Sequence, residues 1–144
     1  MQQGTMEQVV RMGERGQETA ARIDVDTIRQ EFERVQGRAR GVTMLLLSTA
    51  DGRAVTEWSH ARLDPRRVAA MTNSFLTLGE TLAKEIGMTS ADHATISTVH
   101  GSLVVIRIHG ARAYTLAAMG GQEATLAVLL FAARECATRI RALL

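Results

Sequence analysis

The spacing of hydrophobic and polar residues switches between helical and extended periods along the chain, which predicts a mixture of helices and strands. Helical spacing follows Asp24 and Asp26, two candidate N-caps, and stops at Gly41. Further helices are predicted from Asp64-Pro65 to Gly87, and from Gly120-Gly121 to the C-terminus. The remaining segments have strand-like composition or spacing and are predicted as strands 42–49, 53–58, 93–99, 102–108 and 112–118.

The segment GVTMLLLSTADGRAV, residues 41–55, is unusual because its first strand is apolar on both sides. Asp51-Gly52 favours a type I′ hairpin turn. A hairpin strand that is apolar on both sides must lie centrally in a sheet that helices cover on both faces. The fold class is therefore α/β (α+β): one three-layer domain in the order α-β-β-α-β-β-β-α, with a five-stranded, largely antiparallel sheet. The more polar strands 53–58 and 93–99 are predicted at its edges, where another chain can add.

Composition narrows the classes of protein. The chain has 144 residues, 46% hydrophobic and 22% charged, as expected of one soluble domain. Residues 1–24 have mixed charge and no sustained period, so they are predicted as a flexible tail before a domain at 25–144. The net charge is only +2, which does not indicate nucleic-acid binding. A single cysteine and the lack of a signal-peptide or membrane-spanning segment fit a cytoplasmic protein.

Chemistry-bearing patterns are weak, and the sequence predicts no enzyme, no cofactor and no metal site. It lacks the phosphate-binding, dinucleotide-binding and nucleophile-elbow motifs. Four histidines and one cysteine give no zinc spacing. Cys136 is predicted to be a small buried residue rather than a reactive thiol. Glu80 and Glu85 lie on the second helix beside Lys84 and are expected to be solvated.

The second helix carries two stripes. The larger is predicted to face the sheet and comprises Val68, Met71, Phe75, Leu78, Leu82 and Ile86. The other is made of small residues around one leucine: Ala69, Thr72, Leu76, Gly79 and Ala83. Glycine inside a helix costs about 1 kcal/mol relative to alanine, which is understandable where another backbone comes close. That backbone is either the chain's own sheet or a second copy of the helix.

Three segments in succession carry a family resemblance: GVTMLLLSTADGRAV, LDPRRVAAMTNSFLTLGETLAKEIG and HATISTVHGSLVVIRIHGARAYTLAAMGGQEATLAVLLFAARECATRI. A glycine-led strand, a DG hairpin, a D-P-x-x-x-A-A-M helix that ends in glycine and a G-x-L-V-V strand follow in the order found in the Roadblock/LC7 family. The sequence resembles that family over about residues 26–144. The order and spacing carry the resemblance, since each motif is common by itself.

The resemblance implies a homodimer, with sheets joined edge to edge and second helices side by side. It favours a dimer interface at Ala69, Thr72, Leu76, Gly79 and Ala83, with Ile96 on the edge strand. It also implies a non-catalytic regulator or scaffold for a small Ras-like GTPase. In bacteria, members of the family are often activators or co-regulators of such a GTPase. Arg62, Arg66 and Arg67 are either a solvated cluster or the contact for an acidic partner surface. The alternative function is a ligand-sensing module of the PAS or GAF kind, and an enzyme ranks third.

Overall fold

A computed structural model describes residues 23–144 and has the predicted order of elements. The helices are α1 (Val25–Arg38), α2 (Pro65–Glu85) and α3 (Leu126–Leu143); the strands are β1 (Val42–Thr49), β2 (Ala54–Ser59), β3 (His93–Thr98), β4 (Gly101–Ile108) and β5 (Tyr114–Gly121). The predicted tail, residues 1–24, lies almost wholly outside the described residues. Asp24 is described and is the N-cap of α1, where its side chain accepts a hydrogen bond from the backbone N–H of Thr27.

The five strands form one antiparallel sheet in the order β2-β1-β5-β4-β3. The predicted edges are confirmed, because β2 and β3 each pair with one neighbour. The interior position of β1 is confirmed too, and its residues from Met44 to Ser48 are all buried. A strand that is apolar on both sides is therefore explained by helices on both faces of the sheet.

Helices α1 and α3 form the layer on one face of the sheet. Their aliphatic stripes bury Phe32 and Ile140, among others, against a large core cluster that includes Leu45, Val104 and Leu116. The two helices are also joined by charge: Glu31 of α1 is only 6% exposed and accepts a hydrogen bond from Arg139 of α3, besides one from Arg34 of its own helix. This layer closes its side of the sheet.

Helix α2 lies alone on the other face. Asp64 caps its first turn by accepting from the backbone N–H of Arg66, and Pro65 occupies the first helical position. Its C-terminal end is a Schellman motif in which Gly87 has φ +80°, and the N–H of Met88 donates to the carbonyl of Ala83. The predicted stop at Gly87 is confirmed.

Three local details differ from the predictions, each because a hydrogen-bond register decides it. The β1–β2 turn is a three-residue loop, since Thr49 N–H donates to Arg53 and only Gly52 has positive φ; the type I′ turn is wrong. The predicted strands 93–99 and 102–108 imply a β3–β4 turn at His100-Gly101, but the turn is at Val99-His100, because Thr98 pairs with Gly101. Gly120-Gly121 does not begin a helix: it ends β5, and α3 begins after the N-cap Thr125.

Candidate functional site

Helix α2 presents four of the six residues of its large apolar stripe outward, which reverses most of the predicted facing. The other two, Val68 and Phe75, are partly buried and pack against the core beneath the helix. Met71, Leu78, Leu82 and Ile86 are 57–68% exposed, as is Met88 just beyond the helix at 64%. The small-residue stripe faces the chain's own sheet instead: Ala69 and Leu76 are fully buried, and Thr72 is nearly so. The expected interface residues of α2 are therefore packed within the chain.

Gly79 follows the same reversal. A Cβ placed on it would lie 3.8 Å from the Cβ of Ala94 on β3, and no other heavy atom would lie within 4 Å. The close neighbour of Gly79 is the chain's own edge strand. Ala83, one turn further along, is half-buried. Small residues let α2 lie close to the sheet, which was the other explanation for the stripe.

Strand β3 offers a regular free edge beside α2. Its pairing with β4 has no bulge from His93 to Thr98, and Ala94 to Thr98 carry no charge. The opposite edge is less open, because β2 has a register shift, carries Glu57, and has Arg29 of α1 donating to Thr56 at 3.2 Å. Bulges and charges on an edge discourage strand addition. Ile96 lies on the free edge and is 43% exposed, so β3 is the edge available to another chain.

Helix α2 is longer than the sheet is wide. Its 21 residues span about 31 Å, whereas five strands span about 19 Å from centre to centre. The helix begins beside β2, where Val68 and Ser59 line one groove, and Gly79 already lies over β3. The last turns of α2, with Leu82 and Ile86, therefore project past the β3 edge.

The half of the sheet that α2 leaves uncovered forms an open, mostly apolar groove. It is about 450 Å³ in volume, and its apolar lining includes Ile96, Leu103 and Met119. These residues are neighbours across three strands, since Ile96 pairs with Leu103 and Leu103 pairs with Met119. Leu103 and Met119 also pack against the core cluster beneath α2. An exposed helix stripe, a free strand edge and an apolar groove are thus contiguous on one side of the molecule.

A polar cluster with a buried centre and a partly exposed rim lies between α2 and the sheet, and no local pattern in the sequence predicts it. We call it the Arg107 cluster; it consists of Ser48, Asn73, Thr77, Glu80, Arg107 and Thr115. The side chain of Arg107 is 8% exposed and donates to Glu80 at 2.8 Å and to Asn73 at 3.0 Å. Asn73 also donates to Ser48 at 2.8 Å. The expectation that Glu80 is solvated is wrong, since its carboxylate pairs with Arg107.

The remaining bonds of the Arg107 cluster complete its connectivity. Thr115 donates to the side-chain oxygen of Asn73 at 2.6 Å and accepts from Arg107. Thr77 accepts from the second terminal nitrogen of Arg107 at 3.3 Å. Three strands are thereby joined to α2. A single arginine in the strand SLVVIRI and an asparagine between Ala69 and Leu76 were the signals in the sequence.

Arg62, Arg66 and Arg67 lie at the start of α2 and are all exposed. Within residues 23–144, none of their guanidinium groups forms an ion pair with a carboxylate. Asp64 contacts only the backbone of Arg66 among these three. The cluster is positioned at the β2 end of the helix, away from the projecting turns, with its charges available to a partner.

Cys136 is buried within the described part of the chain. Burial raises the pKa of the Cys136 thiol to about 12, so this side chain is a buried apolar group, as predicted. No group of three or more histidine, cysteine, aspartate or glutamate residues in 23–144 could hold a metal ion. None of the helices in that range combines the length and apolar character needed to cross a membrane.

Comparison with solved structures identifies the architecture. MglB of Myxococcus xanthus aligns with a TM-score of 0.72, 17% identity, and coverage of 83% of this chain and 95% of that one. A Roadblock/LC7 domain from Streptomyces avermitilis aligns with a TM-score of 0.67, 20% identity, and coverage of 76% and 91%. An MglB with a tetrameric arrangement aligns at 0.74 and 15%, covering 83% and 88%. The chain has a Roadblock/LC7-type fold. No family model and no curated protein matches the sequence.

In this Roadblock/LC7-type domain, the space between helix and sheet is occupied by the protein itself. Ala69 and Leu76 are fully buried there, Val68 and Phe75 pack beside them, and the Arg107 cluster joins the helix to the sheet. A ligand-sensing module of the PAS or GAF kind needs a pocket at this place with convergent polar groups. The polar groups here bind one another, so the structure gives that alternative no support.

Proposed function

We propose that this Roadblock/LC7-type protein is a non-catalytic homodimeric regulator or scaffold that acts in the bacterial cytoplasm. It binds a small Ras-like GTPase and modulates the nucleotide cycle of that GTPase. The family resemblance and the fold support the class of partner. The observation that carries the proposal is the exposed apolar stripe of α2, because a stripe of this kind next to a free strand edge is characteristic of a protein–protein interface.

The proposed dimer joins two β3 edges antiparallel around a two-fold axis. In that arrangement, the projecting turns of α2, with Leu82, Ile86 and the following Met88, reach the apolar groove of the second copy. Ile96, which was expected at the interface, lies at the join and in the groove. The exposed part of the large apolar stripe, which we call the outer stripe (Met71, Leu78, Leu82 and Ile86), takes the place in the dimer interface that was expected for the small-residue stripe. An isologous contact of this type buries each exposed residue twice.

The GTPase is proposed to bind across the paired α2 helices. Arg62, Arg66 and Arg67 stand at the outer end of each helix, beyond the dimer seam, and can contact an acidic surface of the partner. Such charges mainly increase association rate and orientation specificity. Regulation follows if the surface binds one nucleotide state of the GTPase more tightly than the other, because only differential affinity shifts an equilibrium.

The test is binding to a small Ras-like GTPase from the same genome, loaded with GDP or with a non-hydrolysable GTP analogue. We expect a dimer by light scattering at micromolar concentration, and a difference in affinity between the two nucleotide states. Arg66→Glu with Arg67→Glu should preserve the dimer and slow association in a salt-dependent way. The matched control, Arg38→Glu with Arg141→Glu, changes the same charge at exposed positions of α1 and α3.

A monomer that binds no GTPase in either state would refute the proposal. Nucleotide turnover by the isolated chain would place it among enzymes instead. Equal binding by the two double variants would return the α2 arginines to the role of a solvated cluster.

A further inference from the structure

The rotational setting of α2 on the sheet is not the one that burial of apolar surface alone would select. The helix buries Ala69, Thr72 and Leu76, and it leaves Met71, Leu78 and Leu82 more than half exposed. Hydrophobic burial is non-directional and scales with apolar area, so it favours the opposite setting within a single chain. Some directional interaction must hold the less apolar side against the sheet.

The Arg107 cluster supplies that direction. Asn73, Thr77 and Glu80 lie within an arc of about 60° on α2, given the advance of about 100° per residue, and all three accept hydrogen bonds from Arg107. Turning the large stripe inward would move all three acceptors away from Arg107. It would leave a buried guanidinium group with too few acceptors, which is strongly unfavourable.

The buried polar atoms of the cluster all have hydrogen-bond partners. Among the described residues, no buried side-chain nitrogen or oxygen lacks a hydrogen-bond partner. A fully satisfied polar network specifies one geometry, whereas apolar packing tolerates several. The helix contributes only two apolar side chains at 0% exposure to this contact, Ala69 and Leu76, with Val68 and Phe75 partly buried beside them, so apolar packing alone fixes the setting weakly.

We propose that Arg107 is the positioning residue of α2, and that its guanidinium group selects the setting in which the large apolar stripe faces outward. The part of this inference that concerns a partner rests on the proposed function, because it is the second copy that uses the outward stripe. The part that concerns the helix setting stands on the contacts within one chain.

Thiol labelling tests the setting directly. Thr72→Cys places a thiol on the buried side of α2, where the native hydroxyl bonds only to carbonyls of its own helix. The native thiol, Cys136, is fully buried and gives little background. In the variant with Arg107→Met added, we expect labelling at Thr72→Cys to become at least roughly tenfold faster, since the loss of even one bond to a charged group corresponds to about that factor. Arg107→Lys keeps a charge for Glu80 and should give an intermediate rate.

The control removes a similar buried cluster from the opposite face. Glu31→Gln weakens the bond from Arg139 that joins α3 to α1 and the bond from Arg34 within α1, so it should lower the melting temperature. It should leave labelling at Thr72→Cys unchanged. If Arg107→Met does not fold, Glu80→Gln provides the same test with a smaller expected increase. Unchanged labelling in the Arg107 or Glu80 variant, or an equal increase with Glu31→Gln, would overturn the inference.

Light scattering separates this inference from the proposed function. With Arg107→Met, the dimer should dissociate more readily than with Glu31→Gln, because the stripe is no longer held outward. Should the unmodified protein be monomeric while the labelling changes as expected, the dimer proposal fails and Arg107 remains the positioning residue. Should the protein be dimeric and the labelling not change, Arg107 loses that role alone.

Discussion

Leu78→Ala is the sharpest test of the proposed dimer seam. Leu78 lies in the outer stripe of α2 and is 68% exposed. It makes little contact within the chain, so the truncation should change monomer stability by less than about 0.5 kcal/mol, as is usual for surface substitutions. In the dimer, the same side chain is expected to be covered by the second copy.

The expected magnitude follows from the exposed fraction. Full burial of a leucine side chain stabilises by about 1.5–3 kcal/mol, so covering the 68% that is exposed contributes about 1–2 kcal/mol in each copy. Two-fold symmetry applies the change twice, giving about 2–4 kcal/mol in total. Each 1.4 kcal/mol corresponds to about a factor of ten, so the dimer Kd should rise by roughly 30- to 700-fold.

Sedimentation equilibrium over a concentration series measures that Kd. Phe131→Ala is the matched control, because Phe131 is 70% exposed on α3, on the other side of the sheet. It should leave the Kd within a factor of about three. An unchanged Kd for Leu78→Ala, or a larger rise for Phe131→Ala, would show that the seam does not include the outer stripe of α2.

Three further predictions concern single sites. Gly79→Ala should raise the free energy of unfolding by about 0.5–1 kcal/mol in a denaturant titration, because the added Cβ meets only Ala94 at an ordinary contact distance; a loss of stability would contradict this. Burial raises the pKa of Glu31, but the bonds from Arg34 and Arg139 outweigh it and lower the pKa. Its stabilising contribution is present above the ordinary glutamate pKa and is lost as the pH falls through the lowered value. Glu31→Gln should therefore reduce the difference in melting temperature between neutral and acidic solution, whereas Glu33→Gln, at an exposed position, should not. Cys136 should react with thiol reagents near neutral pH only on unfolding, since burial holds its pKa at about 12; rapid labelling of the folded protein would refute this.

The order of elements and the sheet edges could be predicted because they depend on local period. β1 is apolar on both sides, and that pattern permits only an interior strand. Turn details could not be predicted as well, because the register of Thr49 with Arg53 depends on a bulge in the ladder. The sequence predicts a helix start at Gly120-Gly121 because glycines fit a turn, and only pairing with β1 and β4 shows that they continue β5.

The candidate site was predictable in part. The free edge at Ile96 followed from strand composition, and the cap at Asp64 placed the three arginines at the start of α2. The facing of α2 was not predictable from hydrophobicity, since that reasoning assigns the most apolar side to the core. Such reasoning fails for a helix whose most apolar side can be buried by a second chain. The decisive contact joins Arg107 to Glu80 over 27 residues of sequence, which no local pattern reveals.

The Arg107 cluster and the exposed stripe are therefore two aspects of one physical problem. A monomer would gain most by turning Leu78 and Leu82 inward, and it would then have no apolar surface on α2 to offer a partner. In the proposed dimer, burial between the two copies replaces the burial that the monomer gives up, provided that each chain holds its stripe outward before the copies meet. Otherwise the helix must turn during binding, and the apparent affinity is reduced in proportion to the fraction of molecules whose stripe already faces outward. A buried arginine with acceptors on one side of the helix provides that pre-organisation. This reasoning implies that the dimer affinity and the labelling rate at Thr72→Cys should change together across Arg107→Lys and Arg107→Met, whereas Leu78→Ala should weaken the dimer with no change in labelling.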